Sequence, residues 1–155
     1  MIIKKAGQKD KGNFILIQKE TFPNLNLKKQ KRYFNLKLNN KEIFCLFENK
    51  RYAGHLCFGK HLISPPFVKS VFIEELAIKK EFRNKGFGTK LIKYLIDYCK
   101  KNKIQVIFVS AGDYTKNKAL IFYKNLGFKK IGYLKEINPN SDYTCGQIFL
   151  GKVLK

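Results

Sequence analysis

The stretch from residue 69 to residue 109 constrains the fold most, because its hydrophobic periodicity changes twice. Lys69–Ile78 and Ile104–Val109 are short, mostly apolar runs of the kind that form strands. Between them, apolar residues recur every three or four positions and mark one face of a helix: Leu91, Ile92, Leu95, Ile96 and Cys99. A strand, a helix and a strand in this order favour a βαβ unit with two parallel strands. The sequence therefore predicts an α/β fold.

The rest of the chain adds strands and helices on both sides of this unit. Two helices are predicted in the N-terminal half, over residues 10–21 and 28–38. A further helix is predicted after Asn117, which can cap it, with Gly127 as its C-terminal stop. Five more strands are predicted, at residues 2–5, 43–47, 52–58, 128–134 and 144–153. The total is about seven strands, in one mixed sheet, and four helices.

Two glycines stand where the first strand of the βαβ unit is followed by the helix. The segment reads Arg83-Asn84-Lys85-Gly86-Phe87-Gly88-Thr89. Glycine permits close approaches that a Cβ would block, and the free N–H groups at a helix start can bind a phosphate. The segment lacks the spacing of a Walker A loop and the third glycine of a dinucleotide fingerprint. A loop of this kind suits a pyrophosphate, and the alternative is a tight turn before a helix without a ligand.

Two segments resemble the GNAT superfamily of N-acetyltransferases. The first is similar to the core acetyl-CoA signature and reads Ile73-Glu74-Glu75-Leu76-Ala77-Ile78, then Arg83-x-x-Gly86-x-Gly88. The second is similar to another motif of the superfamily and reads Asn117-x-Ala119-x-x-Phe122-Tyr123-x-x-x-Gly127-Phe128. Together they cover residues 71–134, about 40% of the chain. The N-terminal half is similar to the superfamily only in the order of its helices and strands, and it shows no motif of a subfamily.

The resemblance implies a single N-acetyltransferase domain over residues 1–155 and acetyl-CoA as the cosubstrate. Its sheet would be mostly antiparallel, with a central pair of parallel strands that splay apart to admit the pantetheine arm. Main-chain groups at Leu76, Ala77 and Ile78 would contact that arm. Residues 83–89 would hold the pyrophosphate. Arg83 would lie beside the phosphates, unless it is only a solvated charge of the loop.

The resemblance also implies roles for two residues of the second motif. Asn117 would contact the cofactor, cap its helix, or do both. Tyr123 matches the position of the superfamily's usual general acid, and a phenol with a pKa of about 10 can protonate a thiolate. The alternative for Tyr123 is an aromatic residue packed in the core.

Two carboxylates, Glu74 and Glu75, are candidates for the general base. Their side chains point to opposite faces of the strand, because side chains alternate along it. Glu74 matches the position where several family members have a carboxylate that takes the amine proton through water. Glu75 is the alternative base, or it pairs with a lysine or binds a cationic substrate. The sequence predicts that one of the two acts on the amine.

The cysteines and histidines indicate no metal site. Cys45, Cys57, Cys99 and Cys145 are widely separated, without a C-x-x-C pair or a histidine at a zinc-binding spacing. They are predicted to be reduced residues of the core. His55 lies in the apolar run Gly54-His55-Leu56-Cys57 and is predicted to be a histidine of the core or its rim.

The net charge of +21 consists almost entirely of lysine, with 29 Lys and 3 Arg. Residues 1–78 carry 15 basic and 6 acidic side chains, and residues 79–155 carry 17 and 5, so neither half forms a basic tail. Nucleic-acid sites favour arginine for bidentate contacts. The sequence therefore predicts a solvated lysine coat and does not favour a nucleic-acid partner.

The predicted function is transfer of an acetyl group from acetyl-CoA to an amine of a small molecule or a protein, by direct attack of that amine. One alternative is an acetyltransferase that acts on an RNA-bound or ribosomal-protein amine, for which the lysine coat would supply affinity. Another is a non-catalytic module that binds acyl-CoA. No apolar run approaches the ~20 residues of a membrane-spanning helix, and the N-terminus lacks a signal peptide, so a cytoplasmic monomer or homodimer is expected.

Overall fold

The computed structural model describes residues 1–21, 26–61, 68–113, 117–135 and 146–155. Over these residues the chain forms seven strands and four α-helices, which confirms the predicted α/β fold class. The strands are β1 (Ile2–Lys5), β2 (Ile43–Glu48), β3 (Arg51–His61), β4 (Ser70–Ile78), β5 (Val106–Gly112), β6 (Lys129–Leu134) and β7 (Gln147–Val153). The helices are α1 (Lys11–Thr21), α2 (Leu27–Asn39), α3 (Phe87–Lys101) and α4 (Lys118–Asn125). A short 3-10 turn at Gln8–Asp10 precedes α1, and another at Lys80–Phe82 follows β4.

The strands form one mixed sheet in the order β1-β2-β3-β4-β5-β7-β6. The pairs β1–β2, β2–β3, β5–β7 and β6–β7 are antiparallel, and β4–β5 is the predicted parallel pair. The parallel ladder joins Ser70–Ile73 to Val106–Val109. β4 then runs five residues further, to Ile78, and this continuation carries both candidate carboxylates.

Contacts divide the chain into two compact units, which are described in turn. The first comprises residues 1–60 and 74–98, and the second comprises residues 61–73 and 99–155. Their boundaries fall inside β4 and α3, so each of these elements contributes residues to both units.

The core of the first unit lies between the helices α1 and α2 and the sheet. Phe14 and Ile17 are three positions apart in α1 and therefore lie on one face, where they pack with Phe34 of α2. Residues of the strands complete this cluster: Ile43, Cys45, Tyr52, Cys57 and Ala77. Ile43 and Cys45 alternate along β2 and so share a face. Tyr52 and Cys57 are five residues apart in β3, and the register shift opposite Leu46 and Phe47 brings both to that face.

A two-residue turn at Asn49 and Lys50 joins β2 to β3 in a hairpin. Glu48 is paired with Arg51, and the two residues between them have positive φ, 48° at Asn49 and 64° at Lys50. This left-handed backbone is that of a type I′ turn, whose twist matches that of antiparallel strands. The turn sets Tyr52 opposite Phe47, and an extra residue in β3, Ala53, then shifts the register so that Gly54 lies opposite Leu46.

The second unit contains β5, α4, β6, β7 and the start of β4. Along β5, Ile107, Val109 and Ala111 are buried and alternate with half-buried residues. Asn117 caps the start of α4, as predicted, and Gly127 follows the end of the helix with φ of 80°. Thr144 and Cys145, which the sequence assigned to the last strand and to the core, lie outside the described residues.

In the described ranges, none of the helices is both long enough and apolar enough to cross a membrane. The longest, α3, has 15 residues.

Replacing Phe14 with alanine is expected to lower the free energy of unfolding by about 3–5 kcal/mol, because a fully buried aromatic leaves a cavity when truncated. Phe14 is 0% exposed and packs with Phe34, Tyr33 and His55 at ring-centroid distances of 5.1, 6.4 and 4.3 Å. Urea denaturation of both variants measures the effect, with Leu16→Ala on the same helix as control, since Leu16 is 64% exposed. Equal destabilisation by the two substitutions would contradict the assigned core.

Candidate active site

Glu74 lies in the extended half of β4, and both of its carboxylate oxygens are bound by side chains of α2. Oε1 is paired with Nζ of Lys37, and Oε2 accepts a hydrogen bond from the Tyr33 hydroxyl at 2.7 Å. Lys37 Nζ also donates to Glu42 Oε2 and to the Phe58 carbonyl, each at 3.1 Å. Glu74 is therefore held in an ion-pair network, with a donor on each oxygen.

This network shifts the pKa of its members. Burial alone would lower the pKa of Lys37, but its hydrogen bonds to Glu74 and Glu42 outweigh that effect and raise it. Burial alone would raise the pKa of Glu42, but the Lys60 backbone N–H and the Lys37 ammonium lower it. Burial, with the nearby Cys57 and Glu74, raises the pKa of the Tyr33 hydroxyl far above its usual range. At neutral pH, Lys37 is charged, Glu42 is ionised and Tyr33 remains a donor.

Glu75 contacts a different set of residues, from α1 and β3. Its Oε1 accepts hydrogen bonds from Gln18 Nε2 and, at 2.9 Å, from His55 Nε2. The Glu75 side chain is 11% exposed, whereas His55 is fully buried. The prediction that His55 belongs to the core agrees with its burial, but its bond to a candidate base was not foreseen.

His55, Cys57 and Glu75 are the one group of potential metal ligands found among the described residues. Their ligand atoms all lie within 4.8 Å of one another. Around a tetrahedral zinc ion, bond lengths of about 2.0–2.3 Å place ligand atoms roughly 3.3–3.8 Å apart. In this cluster the Glu75 oxygen is instead hydrogen-bonded directly to His55 and to Gln18. A metal ion would have to displace both bonds, so the arrangement is that of a hydrogen-bonded cluster.

The glycine segment forms an exposed turn that leads into α3. Gly86 has φ of 76°, and a Cβ built there would meet no atom within 4 Å. The Gly86 carbonyl accepts the first helical bond, from the Lys90 N–H, and the next amides begin α3. The first amides of a helix have no acceptor within it and can bind an anion. A side chain at Gly86 would extend into this open space, and the pyrophosphate site at the turn stays a prediction.

Two buried aromatic rings anchor this turn on either side. Phe82 and Phe87 are 8% and 7% exposed, and their rings meet edge to face at 5.7 Å. Between them, residues 83–86 are all exposed. The turn is thus held at its ends, and the residues between them are exposed, although the Arg83 N–H is bonded to the Lys80 carbonyl.

Arg83 is bound to the protein rather than projecting freely from the turn. Its Nε donates to the Ile78 carbonyl at 2.9 Å, and one terminal nitrogen lies 3.2 Å from Glu20 Oε1 on α1. Glu20 Oε1 also accepts the Lys80 backbone N–H at 2.6 Å. The guanidinium therefore links the end of β4 to α1 and retains further N–H donors for a phosphate.

The predicted main-chain contacts of β4 lie at its C-terminal end. Ala77 is buried, and Leu76 and Ile78 are half-buried. The Ala77 carbonyl would be 2.6 Å from a Cβ placed at Gly54, so glycine permits the close approach of β3 here. The Ile78 carbonyl is already bonded to Arg83, which limits the part of Ile78 available to a ligand.

Asn117 and Tyr123 belong to the second unit. Asn117 Oδ1 accepts the Ala119 N–H at 2.9 Å and its Nδ2 donates to the Gly112 carbonyl at 2.5 Å, so its side chain is a helix cap tied to β5. Tyr123 is 5% exposed and packs edge to face with Phe122 and Phe128. Burial raises the pKa of its hydroxyl above the usual range, which keeps the proton on Tyr123.

A family model for the acetyltransferase (GNAT) family matches residues 13–128, which is 116 of the 155 residues. The chain therefore belongs to this family of acyltransferases, and the resemblance noted from its motifs is confirmed.

A curated relative matches only part of the chain. An uncharacterised N-acetyltransferase of Methanocaldococcus jannaschii is 39% identical over 59 residues, which is 37% of this chain and 25% of that protein. The chain thus matches about a quarter of the length of this curated relative.

Solved structures share the fold at low sequence identity. A ribosomal-protein-alanine N-acetyltransferase from Brucella melitensis is 18% identical, with a TM-score of 0.81 over 99% of this chain and 100% of that one. An aminoglycoside 6′-N-acetyltransferase complexed with coenzyme A is 16% identical, with a TM-score of 0.81 over 100% of this chain and 98% of that one. At these identities the likeness shows the fold.

Acid is expected to destabilise the protein partly through Glu42. The pKa of Glu42 is lower in the folded protein than the value near 4.5 that it has in the unfolded chain. Its contribution to the free energy of unfolding is therefore complete above pH 4.5 and is lost as the pH falls through the lower pKa of the folded state. The pKa of Lys37 is raised in the fold, so its contribution to the free energy of unfolding is complete below pH 10.5 and is lost only at higher pH. Urea denaturation from pH 7 to about pH 3 should show a smaller loss of unfolding free energy in Glu42→Gln than in the wild type.

The control for this prediction is Asp97→Asn, which removes an exposed carboxylate from α3. It should retain the full acid dependence of the wild type. An identical acid dependence in Glu42→Gln would show that the pair with Lys37 contributes no pH-dependent stability.

Proposed function

We propose that this chain is an acetyl-CoA-dependent N-acetyltransferase that transfers the acetyl group to an amine by direct attack. The observation that carries the proposal is the exposed turn at Gly86, which opens α3 directly after a strand bearing two carboxylates. Membership of the acetyltransferase (GNAT) family supports it. We take residues 1–155 to act as one domain.

The pyrophosphate of acetyl-CoA would be held by residues 83–89. The N–H groups at the start of α3 would supply hydrogen bonds, and Arg83 and Lys85 would supply positive charge. The main chain of Leu76–Ile78 would bind the pantetheine arm, as the family resemblance implies. Asn117 would act by fixing the start of α4, since its side-chain groups are bound to Ala119 and Gly112.

Acetyl-CoA supplies a thioester whose carbonyl carbon the amine attacks, so that a C–N bond forms and the C–S bond breaks. The acceptor, present in water as an ammonium ion, must first lose a proton. We assign this proton to Glu75 rather than to Glu74, because both oxygens of Glu74 already accept hydrogen bonds. The contacts of Glu75 within the described part of the chain use Oε1 and leave Oε2 for a water or an amine. Tyr123 would give its proton to the leaving sulfur, since its hydroxyl stays protonated at neutral pH.

The acceptor class is proposed at the level of an amine of a small molecule or a protein. The two structural neighbours represent both kinds, a ribosomal-protein alanine and an aminoglycoside. Glu42 and Glu74 share the single ammonium of Lys37, and Glu75 is paired with the His55 and Gln18 side chains, so this group of carboxylates would favour a cationic acceptor. A cytoplasmic location and a metal-free reaction are part of the same proposal.

The experiment that tests the proposal is turnover of acetyl-CoA on a panel of amines and peptides, with release of free thiol as the readout. Thiol release that depends on the amine supports an acetyltransferase. Binding of coenzyme A without thiol release on any amine would indicate the non-catalytic module instead. Raising the ionic strength separates acceptors, because activity on an RNA-bound amine should fall steeply with salt.

Gly86→Val should weaken binding of coenzyme A by about tenfold or more, as measured by isothermal titration calorimetry. A β-branched residue is strained at the positive φ of Gly86, and its side chain would occupy the open space at the turn. Gly12→Val is the control, because Gly12 lies on the exposed face of α1 with open space around it. Unchanged affinity in Gly86→Val would refute the assigned phosphate site.

Tyr123→Phe removes one hydroxyl and should lower kcat by about 100- to 10,000-fold, the usual effect of general acid catalysis. Coenzyme A affinity should persist, since the ring that packs with Phe122 and Phe128 remains. Tyr94→Phe on α3 is the matched control and should retain wild-type turnover. A decrease of less than about threefold in Tyr123→Phe would reduce Tyr123 to a packing residue.

A further inference from the structure

Donors from two distant segments converge on one oxygen of Glu75. Gln18 of α1 and His55 of β3 are 57 and 20 residues away in sequence, yet both nitrogens reach Oε1. The two nitrogens are 3.4 Å apart, so they lie side by side at this oxygen. A carboxylate held at one oxygen by two fixed donors cannot rotate without breaking both bonds.

The position of the His55 proton follows from this contact. A carboxylate oxygen only accepts hydrogen bonds, so Nε2 of His55 must carry the proton that it donates to Glu75. The other ring nitrogen, Nδ1, is buried and has no hydrogen-bond partner among the described residues. A proton on Nδ1 would be a buried donor without an acceptor, which is costly. The geometry thus selects the tautomer with its proton on Nε2.

Packing fixes the imidazole in this orientation. The ring is fully buried, with its centroid 4.3 Å from that of Phe14 and 6.2 Å from that of Tyr52. Gln18 is 1% exposed and equally confined. Among the described residues, Nδ1 of His55 and Oε1 of Gln18 have no hydrogen-bond partner, so the polar contacts of both side chains are those at Glu75.

We propose that His55 and Gln18 are positioning residues that hold Glu75 by Oε1, so that Oε2 faces the acceptor amine. This inference rests on the proposed function, in which Glu75 takes the proton of the amine. His55 and Gln18 act only through Glu75 and do not touch the reacting atoms. Glu74, held by Lys37 and Tyr33, has no such free oxygen and takes no part in this arrangement.

The kinetic test compares variants of both donors with a variant of Glu75. His55→Leu and Gln18→Met should each lower kcat by about tenfold or more, while the KM for acetyl-CoA stays unchanged. His55→Gln, which keeps an N–H donor, should recover part of the loss. In a Glu75→Gln background, His55→Leu should have little further effect, because it acts through the group already removed. His61→Leu, an exposed histidine at the end of β3, is the control.

A spectroscopic test does not depend on activity. The chain has two histidines, so the spectrum of His61→Leu identifies the ring signals of His55. Two-bond ¹H–¹⁵N correlations of the ¹⁵N-labelled protein should show a protonated Nε2 and an unprotonated Nδ1 in His55. A proton on Nδ1 alone would overturn the proposal, even if the variants fail to fold.

The two proposals fail in different ways. If Glu75→Gln keeps wild-type turnover, the assignment of the base is wrong and the inference falls with it. If Glu75→Gln loses turnover but a folded His55→Leu keeps it, only the positioning role is wrong. If His55→Leu lowers kcat equally with and without Glu75, His55 supports the fold and does not act through the carboxylate.

Discussion

The neighbouring carboxylates of β4 impose the requirement that shapes the first unit. The Glu75 side chain is 11% exposed, and a carboxylate so close to an apolar core is costly unless hydrogen-bond donors bind it, whereas the Glu74 side chain is 30% exposed. Glu74 takes its donors from α2, through Lys37 and Tyr33, and Glu75 takes its donors from α1 and β3, through Gln18 and His55. Both helices are therefore tied to the same strand by polar bonds as well as by the apolar cluster around Phe14.

The two carboxylates are satisfied in different ways, and this gives them different chemistry. An ion pair with Lys37 occupies one oxygen of Glu74, and a hydrogen bond from Tyr33 occupies the other. The donors on Glu75 converge on one oxygen, so the other remains available at the edge of solvent. Adjacent glutamates thus serve as a structural anchor and as a candidate base.

The sequence predicted most of the fold because its signals are local. The periodicity of α3, the cap at Asn117 and the glycines at 86 and 127 each report on residues within one or two turns, and the structure has all of them. The pairing around the carboxylates could not be predicted in this way. Gln18, Lys37 and His55 lie 57, 37 and 20 residues from their glutamates, and only the strand register and helix placement bring them together. An apolar run around His55 indicates burial, but it does not identify the partner of the ring.

α1 connects the candidate base with the candidate phosphate site. Gln18 binds Glu75, and Glu20, two residues further along the helix, binds the Lys80 backbone N–H and the Arg83 side chain. Residues two positions apart on a helix point about 200° apart, so these two side chains reach different targets from one turn. Phe14 and Ile17 fix this turn in the apolar core between them. A change that moves α1 would therefore alter both the orientation of Glu75 and the position of Arg83, although α1 carries neither residue.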